Sequence, residues 1–370
     1  MSDTTAPYRA DEVGSLLRTA PLKEARARRA KGEITPAQLK AVEDEEIRKI
    51  LRKQEEIGLK LATDGEFRRT WWQFDFFEGL GGVEIYDAER GIQFKGIETA
   101  PRALRVTGKL DFPADHPMLE HFRFLAANTL VTPKMTIPAP ANLHFRNGRK
   151  SISRQVYPDL ASFFDDLAMV YGKVIRAFYD AGCRYLQLDD TSWGYLCSAQ
   201  ERALAKTRGD DNVDELPAVY AELTNRALKS KPSDMVVTTH VCRGNFRSHW
   251  ISEGGYEPVA ELLLGGVNYD GYFMEWDTER AGGLEPLRFL PKGSKRVVVG
   301  LITSKTGALE TKDYIKRRLD VAAKHAPLGQ LCLSPQCGFA STEEGNILTE
   351  DEQWAKLGLV VDVAREVWGP

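Results

Sequence analysis

At roughly 100–200 residues per domain, a chain of 370 residues holds two or three small domains or one α/β barrel with insertions. Hydrophobic residues at 42% and charged residues at 28% exclude a disordered chain, and 50 basic against 53 acidic side chains, a net charge of −3, exclude the one-signed field that gathers nucleic acid or an anionic membrane. No apolar run reaches the roughly 18 residues of a membrane span, Met1-Ser2-Asp3-Thr4-Thr5 lacks the order of a signal peptide, and five cysteines argue against a secreted disulfide framework, so a cytoplasmic protein is expected.

In chain order, short β-rich runs alternate with longer amphipathic stretches. The first strand is placed at residues 8–13, before Gly14-Ser15, and the others at 59–64, 130–136, 185–189, 235–240, 271–275, 296–301 and 330–334. Helical patterns lie at 37–57, 160–181, 214–229, 311–324 and 351–367. Eight strands alternating with helices, none followed by a GxGxxG turn, predict a (β/α)8 TIM barrel rather than an open doubly wound sheet. Two additions are expected: an extra N-terminal helix within the basic, alanine-rich 19–36, and a β-hairpin at 82–112 inserted after strand two. The whole of 1–370 reads as one barrel domain.

Barrel enzymes carry reactive groups at the C-terminal ends of their strands. The fifth strand runs into His240-Val241-Cys242, where period-two alternation puts His240 and Cys242 on one face. The sixth ends in Glu275 and the eighth runs into Cys337, which completes one His, two Cys and one Glu, a tetrahedral zinc set. Glu279, Asp277 and His249 are rival ligands, while Cys183, Cys197 and Cys332 read as packing.

These residues carry a resemblance. His240-Val241-Cys242-Arg243-Gly244-Asn245, Phe273-Met274-Glu275-Trp276-Asp277 and Ser334-Pro335-Gln336-Cys337-Gly338 resemble the zinc site of cobalamin-independent methionine synthases. Val13-Gly14-Ser15, Asp64-Gly65-Glu66 and Leu186-Gln187-Leu188-Asp189-Asp190 fall in the order of that family's homocysteine-binding segments. The chain is most similar to the short, single-barrel members labelled methionine synthase II, without the N-terminal barrel of longer members. The resemblance implies a Zn2+-dependent S-methyltransferase in which the metal keeps the homocysteine sulfur as thiolate. It also implies that Glu66 and Asp189 take the substrate ammonium and that Ser15 serves its carboxylate. The alternative for Glu66 and Asp189 is ordinary pairing with Arg68, Arg69 or Arg184.

On the donor side the match departs. Where full-length members have a tryptophan-serine pair and an acid histidine, this sequence reads Ile137-Pro138-Ala139-Pro140 and Leu301-Ile302-Thr303-Ser304-Lys305, so Thr303 and Ser304 stand in the histidine's place. Transfer from polyglutamylated methyltetrahydrofolate is therefore expected to be poor, and a sulfonium compound or a corrinoid donor protein is expected instead. Trp71, Trp72 and Trp193 are candidates to stack on a flat donor. The expected partners are homocysteine and a methyl donor, with a homo-oligomer as a further candidate. The competing enzyme class is a coenzyme M-type alkyl transferase, whose anionic thiol lacks the amine that two carboxylates would serve.

Overall fold

The computed structural model describes residues 5–208 and 212–369. Met1 to Thr4 of the chain start discussed above lie outside them. The strands are β1 (Leu61–Ala62), β2 (Gly81–Asp87), β3 (Gln93–Phe94), β4 (Ile97–Glu98), β5 (Arg102–Asp111), β6 (Thr132–Pro138), β7 (Tyr185–Asp190), β8 (Val236–Val241), β9 (Gly271–Glu275), β10 (Arg296–Ile302) and β11 (Leu331–Pro335). Seven of them form one parallel sheet in the order β1-β6-β7-β8-β9-β10-β11. Sequential neighbours all the way round, with helices outside, describe a sheet curling into a TIM-barrel-like fold. The strands are correspondingly buried on both faces; β7, β9 and β11 are buried along their whole length.

The opening between β1 and β11 is filled by residues 8–13. Ala10 bridges Leu333 in parallel, the Asp11 N–H donates to Leu333 O at 3.0 Å, and the Leu333 N–H donates to Arg9 O at 2.9 Å. On the other side the Leu16 N–H reaches Gly65 O at 3.1 Å and the Thr63 hydroxyl reaches Gly14 O at 2.6 Å. This is the first strand expected from the sequence, reduced to a single bridge. The Asp11 carboxylate explains the reduction, since it accepts from the N–H groups of Tyr8 and Glu12 that a ladder would use. Similarly, β1 is shorter than the expected 59–64 because the Gln54 side chain accepts from Thr63 N–H and donates to Thr63 O.

Inside the barrel, Val13, Phe273, Val298 and Cys332 form one apolar layer, and Tyr8, Leu61 and Tyr185 another. Between the staves lies a fully buried ion pair, Lys134 Nζ to Asp11 Oδ1 at 3.0 Å, with the Tyr185 hydroxyl on Asp11 Oδ2 and the Phe273 ring 4.0 Å from the ammonium. A buried charge needs such company, because an unpaired one costs several kcal/mol.

The extra N-terminal helix is Ala20–Ala30. The expected helices appear as Pro36–Glu56, Leu160–Asp180, Leu216–Leu228, Lys312–Ala322 and Glu350–Trp368. A further helix, Pro117–Asn128, lies outside the helical patterns given above and buries Met118, Leu119, Phe122 and Leu125 at helical spacing. After β1 the chain forms the antiparallel pair β2 and β5, whose connection carries the small hairpin β3-β4. That hairpin reaches across the barrel mouth: the Lys95 N–H donates to Trp250 O at 2.9 Å and His249 Nδ1 meets Lys95 O at 2.7 Å. No helix among the described residues is long and apolar enough to cross a membrane.

Candidate functional site

The C-terminal rim of the barrel gathers four ligand-type atoms. His240 lies on β8, Cys242 directly beyond it, Glu275 ends β9, and Cys337 follows β11. One atom from each lies within 4.8 Å of the others, and all four residues are buried. The two sulfurs are 3.8 Å apart. Close approach here depends on two glycines: a Cβ on Gly194 would stand 2.4 Å from Cys242 O, and one on Gly338 would stand 2.0 Å from Ser15 Oγ.

Two of the ligand candidates, Glu275 and Cys242, are held from behind. Glu275 Oε1 accepts from the Arg243 N–H at 2.9 Å, while Arg280 Nη2 donates to Oε2 at 2.6 Å. Tyr256 OH takes the Glu275 N–H at 3.0 Å. The Gly244 N–H donates to Cys242 Sγ at 3.3 Å. Neither ring nitrogen of His240 makes a well-formed hydrogen bond, and the group beside the ring is the Cys337 sulfur. Because a buried imidazole normally satisfies both nitrogens, a histidine left open beside two sulfurs and a carboxylate fits a metal ion. The thiols already share one charge. Cys337 is drawn well below the usual thiol range by Cys242, against burial and with help from His240 and Lys305, while the same contact and burial push Cys242 well above it.

Of the rival ligands, Asp277 pairs with Arg280 at 3.0 Å, His249 is tied to the hairpin, and Glu279 starts a short 3-10 turn outside the cluster. Among the other cysteines, Cys332 is buried in the barrel interior. Burial pushes the Cys183 thiol up to about 12 and that of Cys197 up to about 11, leaving both as packing.

A cleft of about 570 Å³ opens onto His240, Cys242 and Cys337 and is also lined by Ser15, Glu66 and Asp189. The structure thus brings the three residues read as amino-acid binders to the same cavity as the sulfurs. Glu66 ion-pairs with Arg69 and accepts from Thr136 Oγ1, so the pairing alternative weighed for it is present. Asp189 accepts from Gln187 Nε2 at 2.7 Å, and burial pushes its carboxyl up to about 6, against the pull of His240, Gln187 and Arg69. Ser15 Oγ accepts from the Ala340 N–H at 3.2 Å. Arg69, the counter-charge in the cleft, is three residues after Glu66 and is one of the arginines named from the sequence as its pairing alternative.

Thr303 and Ser304 do not line the cleft. Ser304 Oγ donates to Gly338 O at 3.0 Å, and the Thr303 N–H donates to Glu310 Oε1 at 2.8 Å. Instead, Lys305 Nζ reaches Asn245 Oδ1 at 3.3 Å, and Asn245 Nδ2 donates to Gly338 O at 2.9 Å. The segment after β8 is thereby fastened to the segment after β11. Trp71 and Trp72 line the cleft, and the Trp71 ring stacks on Phe74 at 5.3 Å and Phe246 at 6.0 Å. Trp193 is fully buried and away from the cleft, so it is no donor platform. The hairpin adds Ile92 and Phe94, and Arg146 bonds Tyr195 OH at 2.9 Å on the far wall. These three come from distant segments and carried no sequence signal.

The family description "Cobalamin-independent synthase, Catalytic domain" matches residues 9–366. The chain is 52% identical over 366 residues to YxjH of Bacillus subtilis, covering 98% of this chain and 95% of that protein. It is similar to the solved structure of a Listeria monocytogenes protein assigned to the vitamin-B12-independent methionine synthases, at 44% identity and a TM-score of 0.78, covering 99% of this chain and 100% of that one. The fold also matches a B12-independent methionine synthase from Shewanella solved with selenomethionine, at 18% identity and a TM-score of 0.71, with 97% of each chain covered. The chain belongs to the cobalamin-independent methionine synthase family and is a methyltransferase.

Proposed function

We propose that this methyltransferase methylates the thiol of homocysteine to give methionine, with a zinc ion held by His240, Cys242, Glu275 and Cys337. The carrying observation is the convergence of those four ligand atoms within 4.8 Å, at the floor of a cleft whose walls hold a paired acid and base. When bound, zinc supplies a positive centre that keeps a substrate thiol deprotonated near neutral pH.

The remaining work falls to the chain. Homocysteine is a zwitterion at its α-carbon, and Glu66 beside Arg69, with Asp189 and Ser15 on the same cavity, offers charges of both signs to it. Asp189 takes the ammonium most directly, because the Glu66 charge is already met by Arg69, whose guanidinium with Ser15 faces the carboxylate. Held this way, the amino acid points its sulfur at the cysteine cluster. A sulfonate thiol such as coenzyme M has no ammonium for Asp189, which disfavours that class. The buried walls exclude water from the reacting sulfur, and Trp71, Trp72 and Phe94 provide apolar surface for the donor.

At the end of β10, neither Thr303 nor Ser304 lines the cleft, so neither is placed to protonate a departing amine. General acid help is worth about 10²–10⁴ in rate. A donor with an easily departing group should therefore react faster than methyltetrahydropteroyltriglutamate. The test is methionine formation by zinc-loaded protein from homocysteine with each donor. Failure of every donor, together with no spectral response of the cobalt-substituted protein to homocysteine, would overturn the reading.

A further inference from the structure

Three lysines among the described residues are buried, Lys134, Lys305 and Lys356. Two of them have a carboxylate: Lys134 Nζ is 3.0 Å from Asp11 Oδ1, and Lys356 Nζ is 3.1 Å from Glu310 Oε2. Lys305 has none. It is 5% exposed, it forms no ion pair with a carboxylate of the described residues, and its Nζ meets the amide oxygen of Asn245 at 3.3 Å. The nearby acid Glu310 is taken by Lys356 and by the Thr303 N–H at 2.8 Å. A buried ammonium without a counter-ion is strongly destabilising, so this charge calls for a partner that the free chain does not supply.

Its position identifies that partner. Lys305 follows β10, which lies between β9 and β11, the strands whose ends carry Glu275 and lead to Cys337. Asn245 lines the cleft three residues after Cys242, which puts the ammonium one side chain behind the cleft wall. Lys305 also adds, after Cys242 and His240, to the pull that lowers the Cys337 thiol. The other cations at the site are already met: Arg280 pairs with Glu275 and Asp277, and Arg69 pairs with Glu66. Two cysteine thiolates and Glu275 outweigh the two charges of a zinc ion before a thiolate substrate adds one more.

We propose that Lys305 is the counter-charge for the substrate thiolate, and that it makes the site prefer the thiol substrate over its methylated product. The proposal rests on the reading of the cleft as a thiol methylation site. Homocysteine and methionine carry the same ammonium and carboxylate, so Asp189, Arg69 and Ser15 hold both alike. They differ at sulfur. On methyl transfer an electron pair of the sulfur forms the new S–CH3 bond, the donor's bond to that methyl breaks with its pair leaving on the donor, and the negative charge of the sulfur is gone. A fixed cation in a buried setting attracts the thiolate and has no such hold on the neutral thioether. Lys305 touches no reacting atom. It acts through its field before the transfer and not after it, which favours release of the product.

The test is calorimetric titration of the full chain at saturating zinc, with homocysteine in one arm and methionine in the other, for the parent, Lys305→Met and Lys305→Arg. Removing the charge should weaken homocysteine about tenfold or more while methionine binds as it does to the parent, and Lys305→Arg, which keeps the charge, should restore homocysteine binding. Equal losses for both ligands in Lys305→Met would make Lys305 a support for the loop, and unchanged homocysteine binding would remove it from the site; either result overturns the proposal. A homocysteine loss that Lys305→Arg shares in full, with methionine binding intact, does the same. The cobalt-substituted parent separates the two claims. If its spectrum responds to homocysteine and Lys305→Met binds both ligands as the parent does, the Lys305 proposal fails alone. If the spectrum does not respond, the reading of the thiol site fails and the proposal with it.

Discussion

Single side chains decide whether the rim cluster is a metal centre. Replacing Cys242 or Cys337 by Ser should remove most bound zinc while the circular dichroism and melting curve stay those of a folded barrel, because the barrel layers do not include either sulfur. Unchanged zinc by atomic absorption in both variants would rule out the ligand set. Arg280 offers a finer test, since it holds Glu275 Oε2 at 2.6 Å without being a ligand itself. Residues that orient ligands typically govern about 10–100-fold of metal affinity, so Arg280→Met should lower zinc affinity by that order in chelator competition. Substrate charge is tested at Asp189. Loss of a charge-assisted hydrogen bond costs about 1.5–3 kcal/mol, tenfold or more in affinity. Asp189→Asn should therefore weaken homocysteine far more than 3-mercaptopropionate, which has no amine, and equal losses would remove Asp189 from the amine site. The four ligand candidates were legible because alternation and strand ends are local patterns. Arg280 was not weighed, since its role depends on a turn that folds Glu279–Ala281 back toward β9.

The elements that carry these residues were read with uneven success, and the reason is physical. Strands β6 to β11 are short β-rich runs buried over most of their length and ended by polar residues, so their sequences announce them. The 8–13 and 59–64 segments were harder, because the Asp11 and Gln54 side chains replace ladder hydrogen bonds there, an exchange that no periodicity reveals. The antiparallel pair β2 and β5 was visible as an insertion, but its reach over the cleft was not, since that depends on Lys95 meeting the loop at Trp250. This dependence predicts the outcome of shortening the insertion. Replacing residues 89–100 with a tight turn should leave the β2-β5 ladder and the melting temperature nearly intact, because the paired residues from Asp87 and Arg102 inward remain. The same change removes Ile92 and Phe94 from the cleft wall, so the donor KM should rise while zinc content stays constant. Loss of zinc in that variant would show that the hairpin also supports the metal ligands.

The whole barrel responds to pH through a carboxyl outside the ligand cluster. Glu12 is buried in the 8–13 segment, where its Oε2 accepts from the Gly14 N–H at 2.8 Å and its backbone carbonyl accepts from Lys134 Nζ. Burial pushes its carboxyl up from 4.5 to about 7, with Asp11 adding to the rise and Lys134 and Thr63 opposing it. A raised carboxyl means that the folded chain holds a proton which the unfolded chain releases at lower pH. Its contribution to stability is thus complete below about pH 4.5, declines as pH rises toward 7, and is gone above that. At 1.36 kcal/mol per unit the shift corresponds to about 3 kcal/mol in all. Asp190, pushed up to about 6 by burial, adds a slope of the same sign over a narrower window. These groups oppose the usual acid destabilisation, in which ion-paired carboxylates lose their charge. Glu12→Gln keeps an acceptor for Gly14 and removes the titration. Its stability relative to the parent should therefore increase between pH 5 and pH 8 by up to about 3 kcal/mol, measured by urea unfolding followed through tryptophan fluorescence. A difference between variant and parent that is the same at both pH values would mean that Glu12 titrates alike in the folded and unfolded chain, and that the Lys134 ammonium fully offsets its burial.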